Sequence, residues 1–225
     1  MEEKDFAALV RSSRTKRRFD ESKPVSEETL RALIDVVRFA PTGNNTQMLR
    51  FHLVSGADAC AKAFAHLKWA ALLKDWAGPA EGERPGGYIF IMVPAAAVNN
   101  PIRCYDAGIA AQTIMLAAAA EGLGGCILKN FDKGLISDFG LEDTGLAISL
   151  VLALGTPAEE VVLEPATTEH GIAYWHEADG SHHVPKLEVA DLLVQELPGP
   201  SKACICSSSH PFEILMAEKW GNGVE

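Results

Sequence analysis

Apolar residues recur along this chain with two distinct periods. In "SEETLRALIDVVRF", Leu30, Leu33, Ile34 and Val37 fall at i, i+3, i+4 and i+7, the stripe of a helix lying on a core. Ser26 is placed to cap that helix, and Glu27 and Glu28 occupy the first turn, where carboxylates favour the helix dipole. Phe6, Leu9 and Val10 mark an earlier helix that ends near "RSSRTKRRF". Residues 59–76, with Phe64, Leu67, Trp69, Leu72 and Leu73, predict a third helix with a less regular stripe. "YIFIMVP" and "LAISLVLALG" are apolar on both faces, as interior strands are, while "RFHLVSG" and "CILKNF" predict shorter ones. Residues 107–120, "AGIAAQTIMLAAAA", predict a buried helix opened by Asp106 and closed by Gly122, Gly124 and Gly125, with Gln112 as a buried polar contact. Helices and strands alternate irregularly, which predicts an α+β layered fold rather than a parallel βαβ series.

Composition narrows this picture. With 225 residues, 48% of them hydrophobic, the chain can bury a large core as one domain. A formal net charge of −10 argues against nucleic acid as a partner, because such affinity rests on neutralising phosphates. "MEEKDFAALV" places acidic residues where a secretion signal wants basic ones, so a cytoplasmic location is expected. The apolar run 107–120 is shorter than the roughly 20 residues that span a bilayer, so no membrane association is expected. Five cysteines do not make a disulfide framework. Cys60, Cys104 and Cys126 are expected to pack in the core. Neither Cys204, Cys206 and His210 nor the pair His182 and His183 offers a structural zinc set, so no metal is expected. The chain is read as one domain over residues 1–197 and an extended or disordered tail over 198–225.

Two polar clusters carry candidate chemistry. "RSSRTKRRF" puts Arg11, Arg14, Lys16, Arg17 and Arg18 among Ser12, Ser13 and Thr15, a density of guanidinium and hydroxyl groups that suits a phosphate monoester. By itself such a run is more often a solvated basic face, and alone it decides nothing. Thr42 to Gln47 in "APTGNNTQMLRF" are six uncharged residues, nearly all hydrogen-bonding, and neutral donors and acceptors suit the edge of a flat heterocycle such as flavin. Neither the GxGxxG dinucleotide fingerprint nor a P-loop occurs, so a mononucleotide with one terminal phosphate, FMN, fits the two clusters better.

"SRTKRRF" (13–19), "APTGNNTQMLRF" (40–51), "YDAGIAAQTIMLAAAAEGLGGCILKNFD" (105–132) and "LVLALGTPAEEV" (150–161), in this order, resemble the FMN-dependent nitroreductase family over roughly residues 5–194. The resemblance implies a three-layer α+β sandwich with a central, mostly antiparallel sheet flanked by helices. It further implies an intertwined homodimer with FMN bound between the two chains. Carried over residue by residue, it makes Arg14, Thr15 and Arg17 ligands of the phosphate, with Ser13 standing where relatives have a first arginine. Lys186 in "HHVPKLEVADLL" is implied as a late basic group on the same phosphate. Pro41, Thr42, Gly43, Asn45 and Gln47 are implied to line the flavin, with Met48 and Leu49 in place of the usual Pro-Trp. The backbone of Leu128, Lys129 and Asn130 is implied to lie near flavin N5. The implied activity is ping-pong hydride transfer from NAD(P)H through flavin N5 to a nitroaromatic, quinone or similar flat small-molecule acceptor. No side chain is implied as a catalytic acid or base, since the flavin carries the chemistry. Flavin breakdown, reductive dehalogenation and a non-catalytic flavin sensor or store stay open as alternatives.

Overall fold

A computed structural model describes residues 2–70, 76–168 and 171–194. The chain divides into two compact units, Met1–Glu159 and Glu160–Glu225. The expected tail from residue 198, with Cys204, Cys206 and His210, lies outside the described residues.

The first unit opens with α1 (Glu3–Ser12) and α2 (Glu27–Val37), followed by β1 (Arg50–Ser55), α3 (Ala57–Ala65), β2 (Gly87–Pro94), α4 (Pro101–Ala120), β3 (Gly124–Leu128), α5 (Gly134–Asp138) and β4 (Leu146–Gly155). Its strands form one antiparallel sheet in the order β1-β2-β4-β3. The two strands expected inside the sheet are inside it, and the reason is visible in their alternation. Ile89, Ile91 and Val93 of β2, with Leu152 and Leu154 of β4, face a core made with Leu30, Leu33 and Val37 of α2 and the alanines of α4. Tyr88, Phe90 and Met92, with Val151 and Ala153, face a second core made with Cys60 and Ala63 of α3 and with Leu135 of α5. Helices cover both faces, so the layers are helix, sheet, helix. The fold is the expected α+β sandwich.

Ser26 caps α2 as expected, its hydroxyl accepting the Thr29 amide at 3.0 Å. Other expectations need correction. α4 begins at Pro101, not at Asp106. The Asn100 side chain caps it by accepting the amide of Ile102, and proline at the first helical position loses no hydrogen bond. Asp106 is therefore buried in mid-helix, while Gln112 is exposed rather than buried. Gly122 closes α4 with a φ of 75°, but Gly124 and Gly125 belong to β3, where the backbone of Ala153 comes within 2.4 Å of a Cβ built on Gly125. α3 stops at Ala65, short of the expected helix; Leu67 and Trp69 still reach the core from extended chain, and Leu72 and Leu73 lie outside the described residues. Cys60 and Cys126 are buried, but Cys104 is exposed. α1 has no buried residue, and Phe6 is 51% exposed.

The second unit pairs β5 (Val161–Pro165) in parallel with β7 (His182–Lys186), and β6 (Trp175–His176) antiparallel with β7; the short α6 (Val189–Leu192) follows. Few aliphatic residues are available here, so imidazole and indole rings do the packing. Trp175 stacks on His183 at 5.1 Å, and His182, 1% exposed, lies 4.6 Å from His176. The two histidines are thus a strand pair. No metal-binding group of side chains occurs among the described residues. Among those residues, no helix is long and apolar enough to cross a membrane.

One ionisable clamp ties α3 to α5. His66 Nδ1 meets Asp132 at 2.7 Å and its Nε2 meets Asp138 at 2.9 Å, so both ring nitrogens face carboxylates. Desolvation pulls the imidazole pKa down, but the bonds to Asp138 and Asp132 outweigh it and the net shift from 6.5 is upward. The bond from His66 is the first cause of a depressed Asp132 pKa. A raised histidine contributes stability fully below its unfolded pKa and loses it as pH rises through the folded one. A depressed aspartate contributes above its unfolded pKa and loses that as pH falls. The clamp is therefore strongest between about pH 4 and 6.5. His66→Gln is expected to lower the melting temperature most near pH 5.5, with a smaller gap at pH 9; an equal gap at both, by calorimetry, would contradict the clamp.

Candidate functional site

The uncharged turn between α2 and β1 is built from its own hydroxyls and amides. The Asn45 amide donates to Thr42 O at 2.9 Å, the Gln47 amide to the Thr42 hydroxyl at 3.2 Å, and the Thr46 hydroxyl to Gly43 O at 2.9 Å. Asn44, Asn45 and Gln47 have φ of 55°, 53° and 48°. Asparagine tolerates this left-handed region because its short side chain can bond locally; for Gln47 it is strained, at a cost on the order of 1–3 kcal/mol. Backbone held this way needs anchoring from outside, and α4 provides it. The Gly43 amide donates to Asp106 Oδ1 at 2.8 Å, and Arg103, ion-paired to Asp106 at 3.2 Å, donates to the Thr46 hydroxyl. Gly43 must lack a side chain, since a Cβ there would lie 2.3 Å from Ile102 Cγ2. Thr42, Gly43 and Thr46 are consumed inside the turn, and the Gln47 side chain donates to Asn45 O at 3.3 Å, which leaves the exposed side chains of Asn44 and Asn45 beside Pro41.

Arg103 and Asp106 are the residues that sequence reasoning misses. Their signal is a pair of opposite charges three residues apart in an otherwise apolar helix, the spacing at which side chains meet.

The basic segment is pinned to the start of β3. Thr15 bridges Gly125, the Lys16 amide donates to Gly125 O at 2.8 Å, and Phe19, fully buried, anchors the far end. Glu159, also missed, accepts the backbone amides of Arg17 and Arg18, while its carbonyl takes Lys16 Nζ at 3.1 Å. This holds the backbone and leaves the guanidinium groups to be placed separately. Arg14 Nη2 donates to Val10 O at 2.7 Å, at the end of α1, whereas Arg14 Nε is buried with no hydrogen-bond partner among the described residues. Ser13, Arg14 and Lys16 line a cavity of about 160 Å³ together with Gly124 and Met115. Arg17 lies against Cys126. Burial pushes that thiol up to about 11, only partly offset by the guanidinium, so the sulfur stays protonated and is no nucleophile.

Leu128 ends β3 opposite Val151. Beyond it the chain is held by Lys129 Nζ donating to Ser149 O at 3.0 Å and by Asn130 O accepting the Lys68 amide at 3.0 Å. Ser149 O is available because the β2–β4 register slips beside it, between Ile91 and Met92. Lys186 lies in the second unit, at the exposed end of β7, where its carbonyl accepts the Ala166 amide at 2.8 Å.

The structure does not bring the two clusters of one chain together. Ser13 donates to Met115 O near the end of α4, whereas the turn meets α4 at Asp106, about 14 Å away at 1.5 Å per residue. One cluster offers a buried guanidinium nitrogen without a hydrogen-bond partner among the described residues, a donor suited to an anion, and the other offers the exposed, uncharged side chains of Asn44 and Asn45.

Known proteins resemble this chain in sequence and in fold. The model of the nitroreductase family matches residues 10–156. A 4-nitrobenzoate reductase of Pseudomonas putida is 27% identical, over 71% of this chain and 88% of its own. A structure from Desulfovibrio desulfuricans solved in complex with FMN superimposes with a TM-score of 0.60 at 24% identity, over 86% of this chain and 97% of its own. A nitroreductase family protein of Clostridium novyi superimposes with a TM-score of 0.56 at 20% identity, over 70% of this chain and 86% of its own.

Proposed function

The chain belongs to the nitroreductase family, and from that premise we propose that it is an FMN-dependent oxidoreductase taking hydride from NAD(P)H for a flat acceptor, by a ping-pong mechanism. The observation that carries this reading is the buried, unpartnered Arg14 Nε beside a cavity, since a buried donor without an acceptor costs about 1–3 kcal/mol unless something binds it. In this reading Arg14, Thr15 and Arg17 hold the FMN phosphate. The turn residues Pro41, Thr42, Gly43, Asn45 and Gln47 line the ring, and the backbone of Leu128, Lys129 and Asn130 lies near N5. When bound, FMN supplies the two-electron relay between reductant and acceptor.

The residues of this chain bind and orient. Glu159 fixes the backbone that presents the arginines, and Asp106 with Arg103 fixes the turn. The exposed apolar stripe of Ile102, Tyr105 and Ile109 on α4 supports a homodimer in which one FMN takes phosphate contacts from one chain and ring contacts from its partner. A cytoplasmic location, where nicotinamide reductants are at hand, goes with the reading.

The Pseudomonas relative is named for 4-nitrobenzoate, which makes that compound a first acceptor to try, beside a quinone. The purified protein is expected to be yellow, to release about one FMN per chain on denaturation, and to oxidise NAD(P)H steadily when acceptor is added. Release of FAD, or failure to hold FMN after reconstitution, would contradict the cofactor; bound FMN without turnover would favour a sensor or store.

A further inference from the structure

A second cavity, of about 220 Å³, opens beside the uncharged turn. Its floor is apolar, formed by Val37, Leu49, Phe51 and Ala110, and one wall is Thr42 and Gln47 of the turn itself. Arg38 and Arg50 stand at its margin. The two differ in an informative way. Arg38 is bonded to Asp35 at 2.7 Å and lies over the Phe39 ring at 3.9 Å, as Arg31 is bonded to Glu27 at 2.8 Å. Arg50 pairs with no carboxylate among the described residues. Its Nη1 donates to Gln47 O at 3.0 Å and Leu49 O at 2.7 Å, which folds the guanidinium back along the turn. Asp106 is the acidic group that reaches this cavity, and its charge is answered by Arg103 and the Gly43 amide. In a chain of net charge −10, an exposed guanidinium with carbonyl but no carboxylate partners, on the lining of a partly apolar cavity, is a local reversal of sign.

An apolar floor with one cation at the rim suits a ligand that is flat at one end and anionic at the other. The volume lies below the roughly 300–1,000 Å³ of pockets for drug-sized ligands, which limits the flat part to about one ring. We infer that this cavity binds the acceptor as a single-ring aromatic carboxylate, with Arg50 reading the carboxylate. The inference rests on the oxidoreductase reading, because it is the turn proposed to line the flavin that forms the wall.

Benzoate and benzamide have the same shape and differ in charge, and neither can be reduced by the nitro route, so calorimetric titration of the flavin-reconstituted full chain isolates recognition from turnover. Benzoate is expected to bind about tenfold or more tighter than benzamide, as a charge-assisted bond predicts. Arg50→Gln should weaken benzoate by a similar factor and leave benzamide unchanged, while Arg50→Lys, which keeps the charge, should retain part of the preference. Arg50 also supports the turn through two backbone carbonyls, so unchanged benzamide binding is the control for folding. Equal affinity for the two ligands in the unmodified protein, or equal losses in Arg50→Gln, overturns the inference. Charge-selective binding by a protein that oxidises no NAD(P)H would instead sink the oxidoreductase reading and leave the anion pocket standing.

Discussion

Replacing Arg14 and Arg17 together by alanine is expected to weaken FMN binding by roughly 3–6 kcal/mol, about 100- to 10,000-fold, at 1.5–3 kcal/mol for each charge-assisted bond. The arginines are well placed for a test that separates binding from folding. The backbone around them is held by bonds the substitutions leave intact: Lys16 N to Gly125 O, and the amides of Arg17 and Arg18 to Glu159. Arg14 loses one bond, to Val10 O, that could loosen the end of α1. Riboflavin controls for this, because it keeps the ring and lacks the phosphate. Fluorescence titration should show a large loss for FMN and a small one for riboflavin. Equal losses would mean that the arginines serve the fold and not the phosphate.

A charge placed on the outer edge of α4 should release flavin without unfolding the chain. Ile102, Tyr105 and Ile109 are 43%, 68% and 40% exposed and follow helical spacing, an apolar stripe that water would otherwise face. Ala111 and Ala118 are fully buried within the chain, so a charge there would report folding. Ile109→Glu is the cleaner probe. If the stripe is covered by a second copy, an unpaired carboxylate buried there costs about 3–5 kcal/mol, enough to weaken the dimer by a factor of 100 or more. Sedimentation should show a folded monomer, and its FMN should appear free in the same sample, as a site with ring and phosphate contacts from different chains requires. A monomer holding FMN at full occupancy would falsify the shared site.

Strands are the most legible part of this molecule. β2 and β4 are apolar on both faces because both faces of the central sheet are covered, and Ser149, at the register slip, is the polar exception in β4. Helix boundaries are less legible. The start of α4 is hidden because Asn100 and Pro101, a capping pair, are followed by the mixed residues Ile102 to Tyr105, while the charge of Asp106 imitates a boundary. Arg103 makes that charge tolerable in the core, a fact only the folded helix displays. In the candidate site the polar turn is legible as a cluster but not in its division of labour. Thr42, Gly43, Thr46 and Gln47 bond within the turn or to α4, and the side chains of Asn44 and Asn45 are the ones left to meet a ligand. Glu159 is illegible for a different reason. It lies more than 140 residues from the amides it binds, and no local pattern records a contact made by the return of β4 to the start of the chain.

Anaerobic titration of the purified protein tests most directly whether this chain holds FMN as a relay between a nicotinamide and a flat acceptor. Addition of NADH or NADPH without acceptor should bleach the flavin absorbance near one equivalent per FMN, and later addition of a nitroaromatic or quinone should restore it, with the nicotinamide product already free. Flavin that stays oxidised with both nicotinamides, while dithionite still reduces it, would contradict the account.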